Sequence, residues 1–308
     1  MDGVLNVNKP AGPTSHDIVA RIRQAARLKR VGHGGTLDPA ASGVLLVCLG
    51  NATRIVEYLM DWRKSYRAGL VLGAETDTED QTGRILREAD CSHLTRETLE
   101  AVLPRFTGRI SQVPPMVSAL HQKGRRLYEL ARSGEIVERA PRSVEIYSLR
   151  LLSFEPGAKA EAVLEVECSR GTYVRTLCAD IGRALDCGAH MSSLVRLAVG
   201  RFRLEDAVSL ETAEEKAAAG RLSDILHTID EVLDEMPPVG VLEADVERVT
   251  NGVMIPADRL PRQTGELPTT GEPIRIHAPD GRLLAIGRFR HLPSGETVLK
   301  PDKVFAGS

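Results

Sequence analysis

Between Gly32 and Pro39 the chain reads Gly-His-Gly-Gly-Thr-Leu-Asp-Pro, and no helix or sheet interior can run through it. Glycine lets backbone approach a ligand closely, and the proline after Asp38 biases that residue away from helical geometry. The apolar run Val44-Leu45-Leu46-Val47-Cys48-Leu49 follows at once and reads as a buried strand. The fold therefore has to hold Asp38 on a rigid loop beside the core. Taken alone, an Asp-Pro pair is an ordinary turn. Its neighbours decide what more it is.

At 308 residues the chain is long enough for one large domain and a small one. No apolar run approaches membrane-spanning length, and Met1 to Val4 lacks the basic-then-apolar pattern of a secretory signal. The five cysteines, Cys48, Cys91, Cys168, Cys178 and Cys187, show no Cys-x-x-Cys spacing. Such thiols fit a reducing cytoplasm, and structural zinc is not expected. The eight histidines form no His-x-x-x-His pair. The glycine loop lacks the Gly-Lys-[Ser/Thr] ending of a phosphate loop and the third glycine of a dinucleotide fingerprint, which disfavours a nucleotide-dependent enzyme. No cofactor and no metal are expected.

A net charge of −2 looks wrong for a nucleic-acid partner until its distribution is followed. Acids crowd the stretch from Glu205 to Glu235. Bases gather in Arg21, Arg23, Arg27, Lys29 and Arg30, and again in Lys123, Arg125, Arg126, Arg132, Arg139 and Arg142. Phosphate binding depends on the local field, not on the overall balance.

Thr14 or Ser15 can cap a helix running to about Lys29, with Ile18, Val19, Ile22 and Ala26 on one face. A second helix is expected over Ala52 to Trp62, a strand over Lys64 to Leu72, and a polar turn over Asp77 to Gly83. Thr95 opens a further capped helix, and Val113 to Met116 must be an extended connector. Arg142 to Leu152 and Ala160 to Cys168 have strand content, and Thr172 to Leu185 is helical. This interleaving of hairpins and helices argues for an α+β domain with a mixed sheet. Pro237-Pro238 marks a boundary, giving domains over 1–236 and 237–308. Beyond it, Pro273 to His277 and Leu283 to Gly287 flank the turn Pro279-Asp280-Gly281 and form a hairpin.

Several separated motifs resemble one family. Gly32 to Gly43 resembles the catalytic loop of the TruB family of tRNA pseudouridine synthases. Asn8 to Ser15 resembles the family's opening segment, Lys64-Ser65-Tyr66 its Lys-x-Tyr strand, and Ser169 to Arg175 its arginine motif. The C-terminal segment resembles the small PUA RNA-binding barrel that follows the catalytic domain. The resemblance implies a pseudouridine synthase fold and isomerisation of the T-loop uridine (U55) of tRNA, with base flipping and no cofactor. It implies the tRNA T-arm as partner, no obligatory protein partner, a monomer, and no membrane.

The resemblance also assigns roles. Asp38 becomes the nucleophile, Arg175 its cationic partner, and Tyr66 the stacking platform and base. A carboxylate buried alone would have its pKa raised by up to ~3–5 units, and a nearby arginine lowers it by roughly 1–3, so a buried Asp38 requires such a partner. His33, Tyr173 and Leu194 fall to substrate positioning, Leu194 as the apolar wall of the uracil pocket. Lys9 is grouped with the RNA contacts and, with Pro10, supports the loop from below. An insertion over about 120–142, carrying Lys123, Arg125, Arg126 and Arg142, is expected to grip RNA. The chain departs from the family's usual residues at Gly34, Val117 and His121, leaving every catalytic group in place. A non-catalytic tRNA-binding or tRNA-folding protein and a guide-RNA-dependent synthase are the alternatives. The intact Asp38, Tyr66 and Arg175 weigh against the first, and the basic insertion against the second.

Overall fold

The apolar run after the glycine loop is buried on both faces, because its side chains alternate between two cores. In the computed structural model, which describes residues 1–116, 121–122, 125–126, 135, 137–261 and 268–305, this run lies within strand Ser42–Leu49. Leu45, Val47 and Leu49 pack with Ile18, Val19 and Ile22 on one side. Val44, Leu46 and Cys48 pack with Ala52, Ile55 and Leu59 on the other. Truncating any of these leucines to alanine leaves a cavity worth roughly 2–5 kcal/mol.

In chain order the first half comprises β1 (Gly3–Lys9), α1 (Ser15–Ala25), β2 (Val31–His33), β3 (Ser42–Leu49), α2 (Val56–Asp61), β4 (Lys64–Leu72), β5 (Ala74–Thr76), β6 (Ile85–Glu88), α3 (Arg96–Val102) and β7 (Gly108–Gln112). Then come β8 (His121–Gln122), β9 (Arg125–Arg126), β10 (Arg142–Glu155), β11 (Glu161–Cys168), α4 (Val174–Ala184), β12 (Ala189–Val199), β13 (Phe202–Arg203), β14 (Val208–Ser209), α5 (Leu210–Ala218) and α6 (Ile229–Val232). The central sheet has the order β14-β1-β3-β12-β4-β11-β10-β7, with β2 beside β3 and β13 beside β12. Pairs β1/β14 and β3/β12 are parallel, and β1/β3 and β4/β12 are antiparallel. The sheet is mixed, as expected. In the β4/β12 ladder Tyr66 stands opposite Arg196.

Thr14 is the N-cap of α1: its hydroxyl accepts from the Asp17 amide, and the Asp17 carboxylate accepts back from the Thr14 amide at 2.8 Å. The helix ends at Ala25, short of the expected Lys29, where Arg27 takes a φ of 53° and turns the chain back toward β2. The helix expected over Ala52 to Trp62 is a 3-10 turn, Gly50–Ile55, running into α2. Its first turn is drawn toward β1, with the Asn51 amide donating to Asp2 at 2.7 Å.

The C-terminal part holds β15 (Pro238–Gly240), α7 (Glu243–Thr250), β16 (Ile255–Pro256), β17 (Ile274–His277), β18 (Leu283–His291) and β19 (Thr297–Val304). The strands form one sheet in the order β15-β17-β18-β19-β16. Among the described residues its edges β15 and β16 do not pair with each other, so the expected PUA-like barrel takes the form of a curled half-barrel. It encloses its own cluster of Val239, Val249, Ile274, Leu284 and Phe289. Ile286 and Phe305 belong instead to the cluster of Val4, Phe202, Val232 and Leu233 beneath the main sheet. Arg275 reinforces that junction, donating to Asp230 at 2.8 Å and to the Met236 carbonyl at 3.0 Å.

Candidate active site

The loop from Gly34 to Ala41 owes its shape to buried donors beneath it. The Gly34 amide donates to the Leu46 carbonyl at 2.9 Å, and the Ala41 amide to that of Asp38 at 3.0 Å. Lys9, fully buried on β1, directs Nζ at the carbonyls of Ala41 (2.7 Å), Pro10 (2.9 Å) and Pro39 (3.2 Å). The Leu37 amide donates to Ser15 Oγ at 2.8 Å. Gly43, at φ 106°, admits no other residue, since a Cβ there would lie 2.2 Å from the Arg196 carbonyl oxygen. Gly34 is also tight: a Cβ would meet that of Leu59 at 3.0 Å.

Asp38 leaves this loop with its carboxylate 40% exposed. Arg175, on the first turn of α4 and only 5% exposed, brings Nε to within 3.0 Å of Asp38 Oδ2. The guanidinium is shared between two carboxylates. Its Nη1 faces Asp80 Oδ2 at 3.6 Å and the Thr78 carbonyl at 3.3 Å. Asp80 is oriented by Thr78 Oγ1 at 2.7 Å, the Thr82 amide at 2.9 Å and Thr82 Oγ1 at 2.6 Å. The turn carrying it is clamped to β12, because the Gln81 amide donates to the Met191 carbonyl at 2.9 Å and the Met191 amide to Glu79 at 3.0 Å. Glu79, at φ 63°, accepts from Thr176 Oγ1 of α4 at 2.6 Å. Asp38 and Asp80 line one cleft, together with Thr82, Met191, Ser193 and Leu194.

Tyr66 sits in the core cluster with Leu37, Ala41 and Val166 and is 9% exposed. Burial pushes its hydroxyl above the ordinary phenol value of 10.0, Arg196 pulls it down, and Cys168 and Asp38 push it up. The phenol is therefore protonated near neutrality. His33, half-buried on β2, accepts from the Gly35 amide through Nδ1 at 3.3 Å. Burial, then Arg196 and His16, lowers its pKa below 6.5, so the imidazole is neutral at pH 7 and offers no cation to a phosphate.

Of the other expected contacts, Leu194 lies on the cleft wall. Tyr173 caps α4, and its backbone exchanges hydrogen bonds with the Gln112 side chain at 3.0 and 3.2 Å. Arg142 is exposed at the start of β10. Lys9 is a correction. Full burial keeps it from RNA, and its amine, pulled down to about 8 chiefly by burial, senses the charge of Asp38 from beneath the loop. Lys123 and Val117 lie outside the described residues, while Arg125 and Arg126 pair with His121 and Gln122 in a short hairpin. Arg21, counted among the first basic cluster, is paired with Glu214 of α5 at 2.5 Å.

Sequence reasoning missed Asp80 and Arg196. The first lay in a segment read as a polar turn, with nothing local to show that it returns to the site. The second is a charge in an otherwise apolar strand register, which is itself a signal.

The chain resembles known proteins along nearly its whole length. The profile of the TruB family pseudouridylate synthase N-terminal domain matches residues 23–174. That of the tRNA pseudouridylate synthase B C-terminal domain matches residues 175–234. The chain is 45% identical over 305 residues to the tRNA pseudouridine synthase B of Moorella thermoacetica, covering 98% of each. It is 51% identical over 253 residues to the protein of that name from Symbiobacterium thermophilum, covering 82% of this chain and 83% of the other. A chain in the structure of an H/ACA RNP bound to a substrate RNA containing 2′-deoxyuridine superposes with a TM-score of 0.74 at 27% identity, covering 99% of this chain and 85% of that one. The fold is that of a pseudouridine synthase followed by a PUA-like half-barrel. With relatives this similar along nearly its whole length, the chain belongs to the TruB family of pseudouridylate synthases.

Proposed function

We propose that the protein isomerises the T-loop uridine U55 of tRNA to pseudouridine, with Asp38, Arg175 and Tyr66 as its catalytic groups. The observation that carries this reading is Asp38 itself: a carboxylate open to a cleft, on a loop fixed from below, with Arg175 at 3.0 Å. The reaction breaks the bond from uracil N1 to the sugar and forms one from C5. The C5 proton leaves and N1 gains one, so composition is unchanged and no redox partner is needed. Asp38 meets the sugar-base junction, and Arg175 keeps its carboxylate aimed. The target base has to be extruded from a folded tRNA, at a cost of about a few kcal/mol. In the cleft it would lie against Leu194 and Met191.

In this reading residues 1–236 carry the chemistry, the segment around 120–142 grips RNA, and residues 237–308 add contacts to the tRNA beyond the T loop. The enzyme works as a monomer in the cytoplasm. Among the described residues no helix is long and apolar enough to cross a membrane. The tRNA pseudouridine synthase B of Moorella thermoacetica matches 98% of the chain at 45% identity, against 27% for the H/ACA chain, which favours the stand-alone reading over a guide-RNA-dependent one. The test is to incubate an unmodified tRNA transcript with the purified protein and no cofactor, and to map pseudouridine. Modification at U55 supports the reading, and an unmodified T loop sinks it.

A further inference from the structure

Arg196, on β12, is 1% exposed and the largest of the fully buried side chains among the described residues. No carboxylate of the described residues forms an ion pair with it. Its guanidinium donates instead to three carbonyls of the catalytic loop and of β3: Nε to Val44 at 2.6 Å, Nη2 to Gly35 at 3.1 Å and Nη1 to Thr36 at 3.4 Å. Replacing a buried ionic group by an apolar one of similar volume is often neutral or stabilising. A guanidinium kept there without a counter-charge therefore points to a role beyond stability.

The register supplies that role. Arg196 and Tyr66 are directly opposed in the β12/β4 ladder, so their side chains share a face of the sheet. The same guanidinium thus touches the segment two residues before Asp38 and confronts the hydroxyl of Tyr66. The titratable groups facing that hydroxyl are Arg196 from β12, Cys168 from β11 and Asp38 from the loop, and of these Arg196 alone favours the phenolate.

We propose that Arg196 is a positioning residue that locks the Gly35–Thr36 segment and the Tyr66 hydroxyl into one arrangement and supplies the positive charge against which Tyr66 releases its proton. The inference rests on the reading above, in which Tyr66 handles the proton of the reaction. The phenol proton leaves to water, the phenolate takes the C5 proton of the rejoined uracil, and N1 takes one from water. Burial alone would keep Tyr66 protonated. Arg196, itself buried, opposes that effect without cancelling it.

The test compares the full-length wild type with Arg196→Gln and Arg196→Lys, each with and without Tyr66→Phe. Phenolate absorbance, taken as the difference between each protein and its Tyr66→Phe partner, isolates the titration of Tyr66. Tritium release from tRNA labelled at uridine C5, in single turnovers across pH, reads the chemistry. Arg196→Gln should move both the titration and the rising limb of the rate profile upward by about one pH unit or more, the size a neighbouring charge produces. Arg196→Lys should leave the titration near its wild-type position. Its rate should fall about tenfold, because a single nitrogen cannot stand at the three separate positions from which Nε, Nη1 and Nη2 reach Val44, Thr36 and Gly35. A folded Arg196→Gln whose titration does not move overturns the proposal, since a purely structural role would lower the rate alone. If that variant does not fold, the wild-type titration decides: Tyr66 must ionise before alkaline unfolding, and a phenol that stays protonated to that point overturns it. A Tyr66→Phe protein with wild-type rate would instead remove Tyr66 from the mechanism.

Discussion

Arg175→Lys keeps a cation in place and removes one of the two nitrogens that the site uses. Nε serves Asp38 at 3.0 Å, and Nη1 faces Asp80 at 3.6 Å. A lysine offers a single nitrogen, so it holds one carboxylate and releases the other. A hydrogen bond to a charged group is worth roughly 1.5–3 kcal/mol. At about 1.4 kcal/mol per tenfold, the single-turnover rate should fall about 10- to 150-fold. Dissociation constants for tRNA, measured by filter binding, should change far less, because Arg175 is only 5% exposed. A double-mutant cycle with Asp80→Asn shows which contact is lost. If the lysine stays with Asp38, then Asp80→Asn adds little in the lysine background while costing much in the wild type. A lysine variant within about twofold of the wild-type rate would refute the reasoning, because Arg175 would then supply only diffuse positive potential.

Tyr66→Phe keeps the ring and loses the hydroxyl, so kcat should drop much further than affinity for tRNA; equal losses would make Tyr66 a binding residue. Lys9→Met leaves the carbonyls of Pro10, Pro39 and Ala41 without their donor, and should destabilise the fold by about 1–3 kcal/mol in urea titrations. The pH dependence has a definite sign. The folded amine titrates near 8 and the unfolded one near 10.5, so between those values the unfolded chain binds the extra proton. Wild-type stability relative to Lys9→Met should therefore rise with pH across that window, and a flat difference would contradict the burial argument. Deleting residues from 239 onward uncovers Val232, Leu233 and Phe202, which now pack with Ile286 and Phe305. The truncated protein should be less stable and bind tRNA more weakly, with measurable turnover at saturation. A folded truncation with no turnover there would end the proposed division of labour.

The local features of this fold were legible in the sequence. The cap at Thr14, the strand from Lys64 to Leu72 and the strand after the glycine loop each depend on neighbours within a few residues. Asp38 and Arg175 were readable as partners only through resemblance, since 137 positions separate Asp38 from Arg175 and spacing carries no such information. What stayed hidden depends on long-range placement. Asp80 returns to the site because its turn bonds to Met191, and Arg196 enters beneath the loop because β12 runs beside both β3 and β4. Lys9 was read as a support beneath the loop, which its contacts bear out, and its grouping with the RNA contacts fails because β1 buries it.

The central claim is that the carboxylate of Asp38 does the chemistry, and Asp38→Asn tests it most directly. The amide keeps the size of the side chain and removes its charge, while the loop contacts of Lys9, Ser15 and Arg196 are untouched. Tritium release from C5-labelled tRNA and tRNA affinity are measured on the same preparation. The account predicts affinity within a few-fold of wild type, on the order of 1 kcal/mol or less, with no tritium released and no pseudouridine formed. Release at the wild-type rate by Asp38→Asn would contradict it.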